Sequence, residues 1–329
     1  VQNASYKLFL GYQFLNRSKL DFFVVLRMRL YHNHGFSVLS VSFYKLTIMH
    51  CRYLILLLLS VSLTLVALAP PPVEHAWQQE WTTLFNGSDL SGWDTYLGPP
   101  ADSTGQRLNA PAIGLNKDPN HVFTVVDKSI RISGQDVGAV ITRRQYEDYH
   151  LQLQFRWGTL TWGQKKNKKK DSGLLYHSIG PYGADFDAWM RSQEFQVQEG
   201  DCGDYWGCAG GMARIPVIKK DSMYEYSPGG EWYTFRNDNS IGRHCVKRGD
   251  AEKPSGQWNT LDLYCHGDTS VHVVNGKVMM VLYSNGQADH DKVHPLTKGR
   301  IQLQSEGAEV YYRNIRIQPI NSLPHSLLQ

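Results

Sequence analysis

Asp171 to Cys208 reads DSGLLYHSIGPYGADFDAWMRSQEFQVQEGDCGDYWGC, and two short strands are written in it. The first runs from Ser172 to His177 and the second from Ser192 to Glu199. Side chains alternate across a strand. Glu194, Gln196 and Gln198 therefore share one face, and Phe195, Val197 and Glu199 the other. One acid and two amides, backed by apolar residues, suit a half-buried strand lining a polar groove. Amides and carboxylates offer the paired donors and acceptors that sugar hydroxyls require. Tyr176, Tyr182, Trp189, Tyr205 and Trp206 crowd the same segment, and aromatic faces stack on sugar rings while their polar tips stay wet. The competing reading is a sheet whose polar face only meets water.

Strands recur at close intervals on both sides of this stretch. Trp81 to Phe85, His121 to Val126, Ser129 to Ser133 and Ala139 to Thr142 come before it. So does His150 to Trp157, where Leu151, Leu153, Phe155 and Trp157 alternate strictly with Gln152, Gln154 and Arg156. Residues 98 to 120, rich in Pro, Gly, Asn and Asp, read as a long loop. Residues 209 to 256 read as short strands and loops. Beyond them, Trp258 to His266, Ser270 to Val274, Lys277 to Tyr283, Gly299 to Ser305 and Glu309 to Pro319 are again β, with Asn275-Gly276 marking a tight hairpin. No long helical stripe occurs, so the fold is all-β, a sandwich or a barrel. No phosphate loop, dinucleotide fingerprint or Gly-x-Ser-x-Gly elbow is present.

The N-terminal part has a different character. Residues 1–48 show no clear period and read as an overcalled gene start, since the chain opens on Val1. Met49-His50-Cys51-Arg52, the apolar run YLILLLLSVSLTLVALA and the small-residue site Ala67-Leu68-Ala69 make residues 49–69 a signal peptide. An uncleaved anchor is the alternative, because Pro70 to Pro72 follow the site directly. The expected protein is exported, periplasmic or extracellular, as a single domain spanning residues 77–319, with no membrane span after cleavage. The chain carries a net charge of +4. Residues 1 to 69 hold +6 of it, leaving −2 for the remainder, so the basic balance gives no case for nucleic acid. Lys165, Lys166, Lys168, Lys169 and Lys170 read as a solvated hairpin tip, with a site for an acidic polysaccharide as the rival. Asn86-Gly87-Ser88 has the glycosylation pattern, although a turn explains it. Cys202, Cys208, Cys245 and Cys265 are an even set in an exported chain, and Cys202 with Cys208 would close a small disulfide loop. Free buried thiols are the rival reading. The C-x5-C spacing does not suit zinc.

Four stretches in order, LFNGSDLSGW (84 to 93), DSGLLYH with EFQVQEGD (171 to 177 and 194 to 201), GQWNTLDLYCHGDTSVHVVNGK (256 to 277) and GRIQLQSEGAEVYYRNIRI (299 to 317), resemble the secreted bacterial family of 3-keto-disaccharide hydrolases. The resemblance covers nearly all of residues 80 to 320. It implies a concanavalin-like, glucanase-type sandwich of two curved antiparallel sheets and action on glycosides oxidised at carbon 3. A ketone there acidifies the carbon 2 hydrogen; its removal gives an enolate that expels the carbon 1 substituent, and water then adds. Such a site needs a base, a positive group or divalent metal at the enolate oxygen, and an acid for the leaving group. Glu194 and His177 are the expected catalytic pair, meeting in one groove. Gln196, Gln198, Arg156, Trp206, Gln304, Glu306 and Arg313 are the expected substrate contacts, with Arg156 or Arg313 holding the enolate. The substrate is a carbohydrate, an oxidised glycoside supplied by a partner oxidoreductase. Related glucanases carry Glu-x-Asp-x-Glu where this strand reads Glu194-Phe195-Gln196-Val197-Gln198. Two acids are replaced by amides, which counts against conventional hydrolysis and leaves a lectin-like module as a further alternative.

Overall fold

The computed structural model describes the backbone strands of residues 8–11, 25–32 and 35–41 and, in full, residues 80–289 and 292–329. The chain divides into two units, Val1–Trp77 and Gln78–Gln329. In the first, Leu8–Gly11, Val25–His32 and Gly35–Val41 form an antiparallel three-stranded sheet. The sequence shows no clear period over these residues, yet their backbone forms a sheet. The expected signal peptide, residues 49–69, lies outside the described residues. Among the described residues no helix is long and apolar enough to cross a membrane.

The second unit is a sandwich of two antiparallel sheets. One has eight strands in the order His244–Cys245, Tyr205–Cys208, Arg191–Gln198, Asp171–Ile179, Arg300–Ser305, Gly138–Thr142, Trp93–Leu97 and Gly114–Leu115. The other has twelve, with Tyr149–Thr161 paired between Asn259–His266 and Ala308–Pro319 near its middle. Two separate sheets exclude the barrel. The alternation read from the sequence sets the core. Leu151, Leu153, Phe155 and Trp157 of the twelve-stranded sheet meet Leu174, Tyr176, Phe195, Val197, Ile301 and Leu303 of the other in one buried cluster. Each large apolar side chain fully buried there stabilises the fold by about 1.5–3 kcal/mol. The Asn275-Gly276 hairpin forms as expected: both residues have positive φ, 48° and 81°, which its turn type requires. The strand Trp93–Leu97 was not read from the sequence, and Gly211–Lys220, in the stretch read as short strands and loops, is ten residues long.

Because Leu174, Tyr176, Phe195 and Val197 point inward, the opposite parity of the eight-stranded sheet faces outward. Gly173, Leu175, Glu194 and Gln196 are on that side. A segment from Gly180 to Met190 folds over part of it. Trp189 donates its indole N–H to the Gly138 carbonyl at 2.8 Å, and Tyr182 stacks on Tyr96 at 5.3 Å. Trp189 and Met190 thereby cover Ala139, Ile141, Leu175 and Cys208 in a smaller apolar cluster.

The disulfide expectation is corrected. Cys202, Cys208, Cys245 and Cys265 are all free and buried. Cys202 packs in the cluster between the sheets and Cys208 in the one on the outer side, so the sheet itself separates them. Cys245 and Cys265 likewise fall in different clusters. At this domain size the apolar core suffices without a covalent staple.

Candidate functional site

The outward face of the eight-stranded sheet carries a row of polar residues set by register. Glu194 lies opposite Leu175 on one neighbouring strand and Trp206 on the other, and Trp206 lies opposite His244. Gly173 lies opposite Gln196. A Cβ placed on Gly173 would sit 2.4 Å from Gln304 Oε1 and 2.5 Å from Glu194 Oε1. Only a glycine lets these two side chains converge above the strand.

This floor is buried and short of hydrogen bonds. Glu194, Gln196 and Gln304 are 5%, 6% and 1% exposed. Among the described residues no partner reaches Asp171 Oδ1, Gln196 Oε1 or either amide atom of Gln304. Buried polar atoms are ordinarily paired, at a cost of about 1–3 kcal/mol when they are not. Several orphans converging at one place mark a surface prepared for polar groups of a ligand.

Three carboxyls share the groove. Asp171 Oδ2 accepts from Lys165 Nζ and, at 3.0 Å, from Gln198 Nε2. Burial raises its pKa, and Lys165 pulls the other way. Burial, with the Asp171 charge adding to it, pushes Glu194 up to about 8, while the Cys208 thiol, donating to Oε2 at 3.3 Å, and the Arg243 guanidinium work against the rise. Glu194 therefore holds a proton at neutral pH. Half-buried Glu306 is raised well above its ordinary value, by desolvation first and then by Asp171 and Glu194. Lys165 and Arg243 supply the positive charge. Burial disfavours both cations, yet Asp171 beside Lys165 and Asp185 beside Arg243, at 2.7 Å, outweigh it and keep both protonated.

Two hollows flank the floor. One, about 440 Å³, is lined by Gln196, Gln198, Asp204, Trp206 and His244, with Lys169 at its edge. The other, about 100 Å³, is lined by Trp162, Lys165, Phe186, Trp189 and Glu306. Lys165 from the second and Gln198 from the first meet on Asp171. Among the described residues no three His, Cys, Asp or Glu side chains are grouped to hold a metal ion.

Six of the expected site residues come together here: Glu194, Gln196, Gln198, Trp206, Gln304 and Glu306. Three do not. His177 occupies a bulge with φ 51° and a register shift between Tyr176 and Ile179, which breaks the alternation assumed for it. Its ring lies inside, edge-on to Tyr149 and Tyr176, with Nδ1 on the Leu296 carbonyl at 3.0 Å, and burial lowers its pKa to about 4. It does not meet Glu194. Arg156 and Arg313 belong to the outer face of the other sheet, across the core. Arg313 lies 3.8 Å over the Trp258 ring, and Arg156 sits between Trp258 and Tyr311 at 5.1 and 5.0 Å. The strict alternation of His150 to Trp157 already put Arg156 away from the core, but a sandwich has two outer faces and the sequence does not say which carries the groove.

Asp171, Gly173, Lys165, Arg243, Asp204 and His244 were missed. Asp171 and Gly173 have a visible signal, because they share the parity of Leu175 on a strand already recognised. Lys165 was hidden in a lysine run; the 3-10 turn Gly163–Lys165 brings it into the groove while Lys169 pairs with Asp201. His244 lies on a two-residue strand that leaves no periodic trace.

Residues 80–318 match the model of the 3-keto-alpha-glucoside-1,2-lyase-like domain family. No curated protein matches the chain. Among solved structures it is similar to a protein of Parabacteroides distasonis ATCC 8503 described as a candidate glycosyl hydrolase, at 18% identity over 73% of this chain and 94% of that one, TM-score 0.42. It is also similar to a galectin-fold protein of unknown function from Bacillus subtilis, at 12% identity over 73% and 94% of the two chains, TM-score 0.37. A third is the carbohydrate-binding module CBM66 from Bacillus subtilis, at 10% identity over 69% and 95%, TM-score 0.36.

Proposed function

The chain belongs to the 3-keto-alpha-glucoside-1,2-lyase-like family, and on that premise we propose that it cleaves glycosides carrying a ketone at carbon 3 of the sugar, by elimination followed by hydration. The observation that supports this most is the floor above Gly173. It offers unpartnered amide and carboxyl atoms for sugar hydroxyls around an acid, Glu194, that is protonated at neutral pH. The raised pKa of Glu194 suits the general acid, which passes its proton to the departing glycosidic oxygen. Removal of the carbon 2 proton leaves an enolate, and Lys165, held at the edge of the groove by Asp171, lends it positive charge. The enolate electrons then form the carbon 1–carbon 2 double bond, the carbon 3 carbonyl re-forms and the carbon 1–oxygen bond breaks. Water adds to carbon 1 with Glu194, now ionised, taking its proton back. Trp206 and the hollow it lines receive one sugar ring. The Trp162, Phe186 and Trp189 hollow receives the other.

The ketone must be introduced by an oxidoreductase acting on the parent glycoside, and export, resting on residues 49–69, would place the reaction outside the cytoplasm. Conventional hydrolysis is the second reading, favoured by the presence of three carboxyls in one groove. Incubation with a 3-keto-glucoside and with its unoxidised parent separates the two. Release of the leaving group from the keto form alone supports elimination. Release from the parent at a comparable rate refutes it in favour of hydrolysis, and saturable binding without release from either makes the domain a lectin.

A further inference from the structure

The elimination requires a group to take the carbon 2 proton, and the three carboxyls are poorly suited to it. Glu194 already holds a proton, Asp171 is tied to Lys165 and Gln198, and burial first, then its two acidic neighbours, raise Glu306 well above the ordinary carboxylate range. An imidazole stands in the same row of the sheet. His244 lines the larger hollow beside Gln196 and Trp206. Its Nε2 is 2.8 Å from Asp204 Oδ2, while Asp204 Oδ1 accepts the Lys247 backbone N–H at 3.0 Å, and Asp204 is 4% exposed. Asp204 is thus locked in place, and it fixes the proton on Nε2. That leaves the Nδ1 lone pair open, and among the described residues no partner is hydrogen-bonded to it. The Trp206 indole stacks on the ring at 4.2 Å and 16°, which holds the imidazole plane and favours the cation that protonation creates. Register puts His244 two strands from Glu194, about 10 Å between backbones, with Trp206 on the strand between them.

We propose that His244, oriented by Asp204 and Trp206, is the catalytic base that removes the carbon 2 proton in the elimination. This rests on the 3-keto-glycoside reading above. Nδ1 takes the proton and the C–H electron pair becomes the enolate. The pair then expels the carbon 1 oxygen, which leaves with the Glu194 proton. In the hydration half the imidazolium returns its proton to carbon 2 as Glu194 takes one from water, so both groups end as they began. Asp204 is a positioning residue, since it acts only through His244.

Proton abstraction can be read apart from cleavage with a 3-keto sugar whose carbon 1 bears only hydrogen, by following deuterium entering carbon 2 in heavy water. Wild-type protein is expected to catalyse the exchange. Glu194→Gln retains it while losing cleavage of a 3-keto-glucoside. His244→Ala loses both, exchange by about a hundredfold or more, and added imidazole restores exchange. His244→Asn, which keeps a planar group against Trp206 and a donor to Asp204, serves the same comparison if the alanine variant does not fold, and it too should lose exchange. Asp204→Asn should lower the exchange rate at saturation with KM little changed. A folded His244 variant that exchanges like wild type overturns the assignment, as does a loss in His244→Ala that imidazole does not repair. If wild type neither exchanges carbon 2 nor cleaves the keto-glucoside, the lyase reading itself has failed and the role of His244 goes with it.

Discussion

Replacing Glu194 by Gln should make the protein more resistant to alkaline unfolding, although it removes a site residue. An ordinary glutamate titrates near 4.5 and Glu194 near 8. A folded pKa above the unfolded one means that the folded chain keeps its proton more tightly. Stability from this group is complete below pH 4.5 and is lost as pH rises towards and through 8. The difference corresponds to about 5 kcal/mol in full. Between pH 6 and pH 9 the loss grows by about 2–3 kcal/mol. The glutamine side chain is nearly the same shape and cannot ionise, so the variant escapes that loss, and Asp171 and Glu306 then ionise without the Glu194 charge beside them. At about 2–4 °C per kcal/mol for a domain of this size, the melting temperature of Glu194→Gln relative to wild type should rise by about 5–10 °C from pH 6 to pH 9. The assay is a thermal melt of both proteins by circular dichroism across that range, with a scan-rate control for irreversibility. A difference that stays constant or shrinks with rising pH would show that Glu194 is not held protonated, and the case for it as the general acid would fall with it.

Other consequences can be checked independently. Gly173→Ala places a methyl group against Gln304 Oε1 and Glu194 Oε1. The protein should still fold, yet keto-glucoside turnover should drop by about a hundredfold or more, since small displacements of positioned groups are costly; an active Gly173→Ala protein would disprove this floor as the site. Arg156→Ala and Arg313→Ala, which remove stacking on Trp258 across the core from the groove, should cost about 1 kcal/mol or less each and leave kcat/KM within about twofold of wild type, as steady-state kinetics would show. Alkylation in guanidine without reductant, followed by peptide mapping, should find Cys202, Cys208, Cys245 and Cys265 all modified as thiols; a disulfide peptide joining any two contradicts the structure.

The fold was legible because its signal is period two, repeated in strand after strand. His150 to Trp157 and Ser192 to Glu199 were assigned to their faces from alternation alone, and the buried cluster between the sheets is made of those residues. The same rule carried Glu194, Gln196 and Gln198 onto the groove. It failed at His177, where a bulge with positive φ turns a side chain inward against the count, and bulges leave little mark in a single sequence. Parity also cannot distinguish two outer faces, which is why Arg156 and Arg313 were placed with Glu194. Lys165, Arg243 and His244 are set by turns and by strands of two or three residues. Their roles come from contacts between distant segments, such as Arg243 with Asp185 and His244 with Asp204, and no local pattern encodes those.

In the proposed elimination the glycosidic bond breaks only after the carbon 2 hydrogen has been removed. The most direct measurement compares turnover of a 3-keto-glucoside carrying hydrogen at carbon 2 with the same compound carrying deuterium there, in wild-type protein under single-turnover conditions. Elimination gives a severalfold slower release of the leaving group from the deuterated substrate, with a 1,2-unsaturated keto sugar formed before the hydrated product. Equal rates for the two substrates, with no unsaturated intermediate, would contradict it and return the groove to direct displacement at carbon 1.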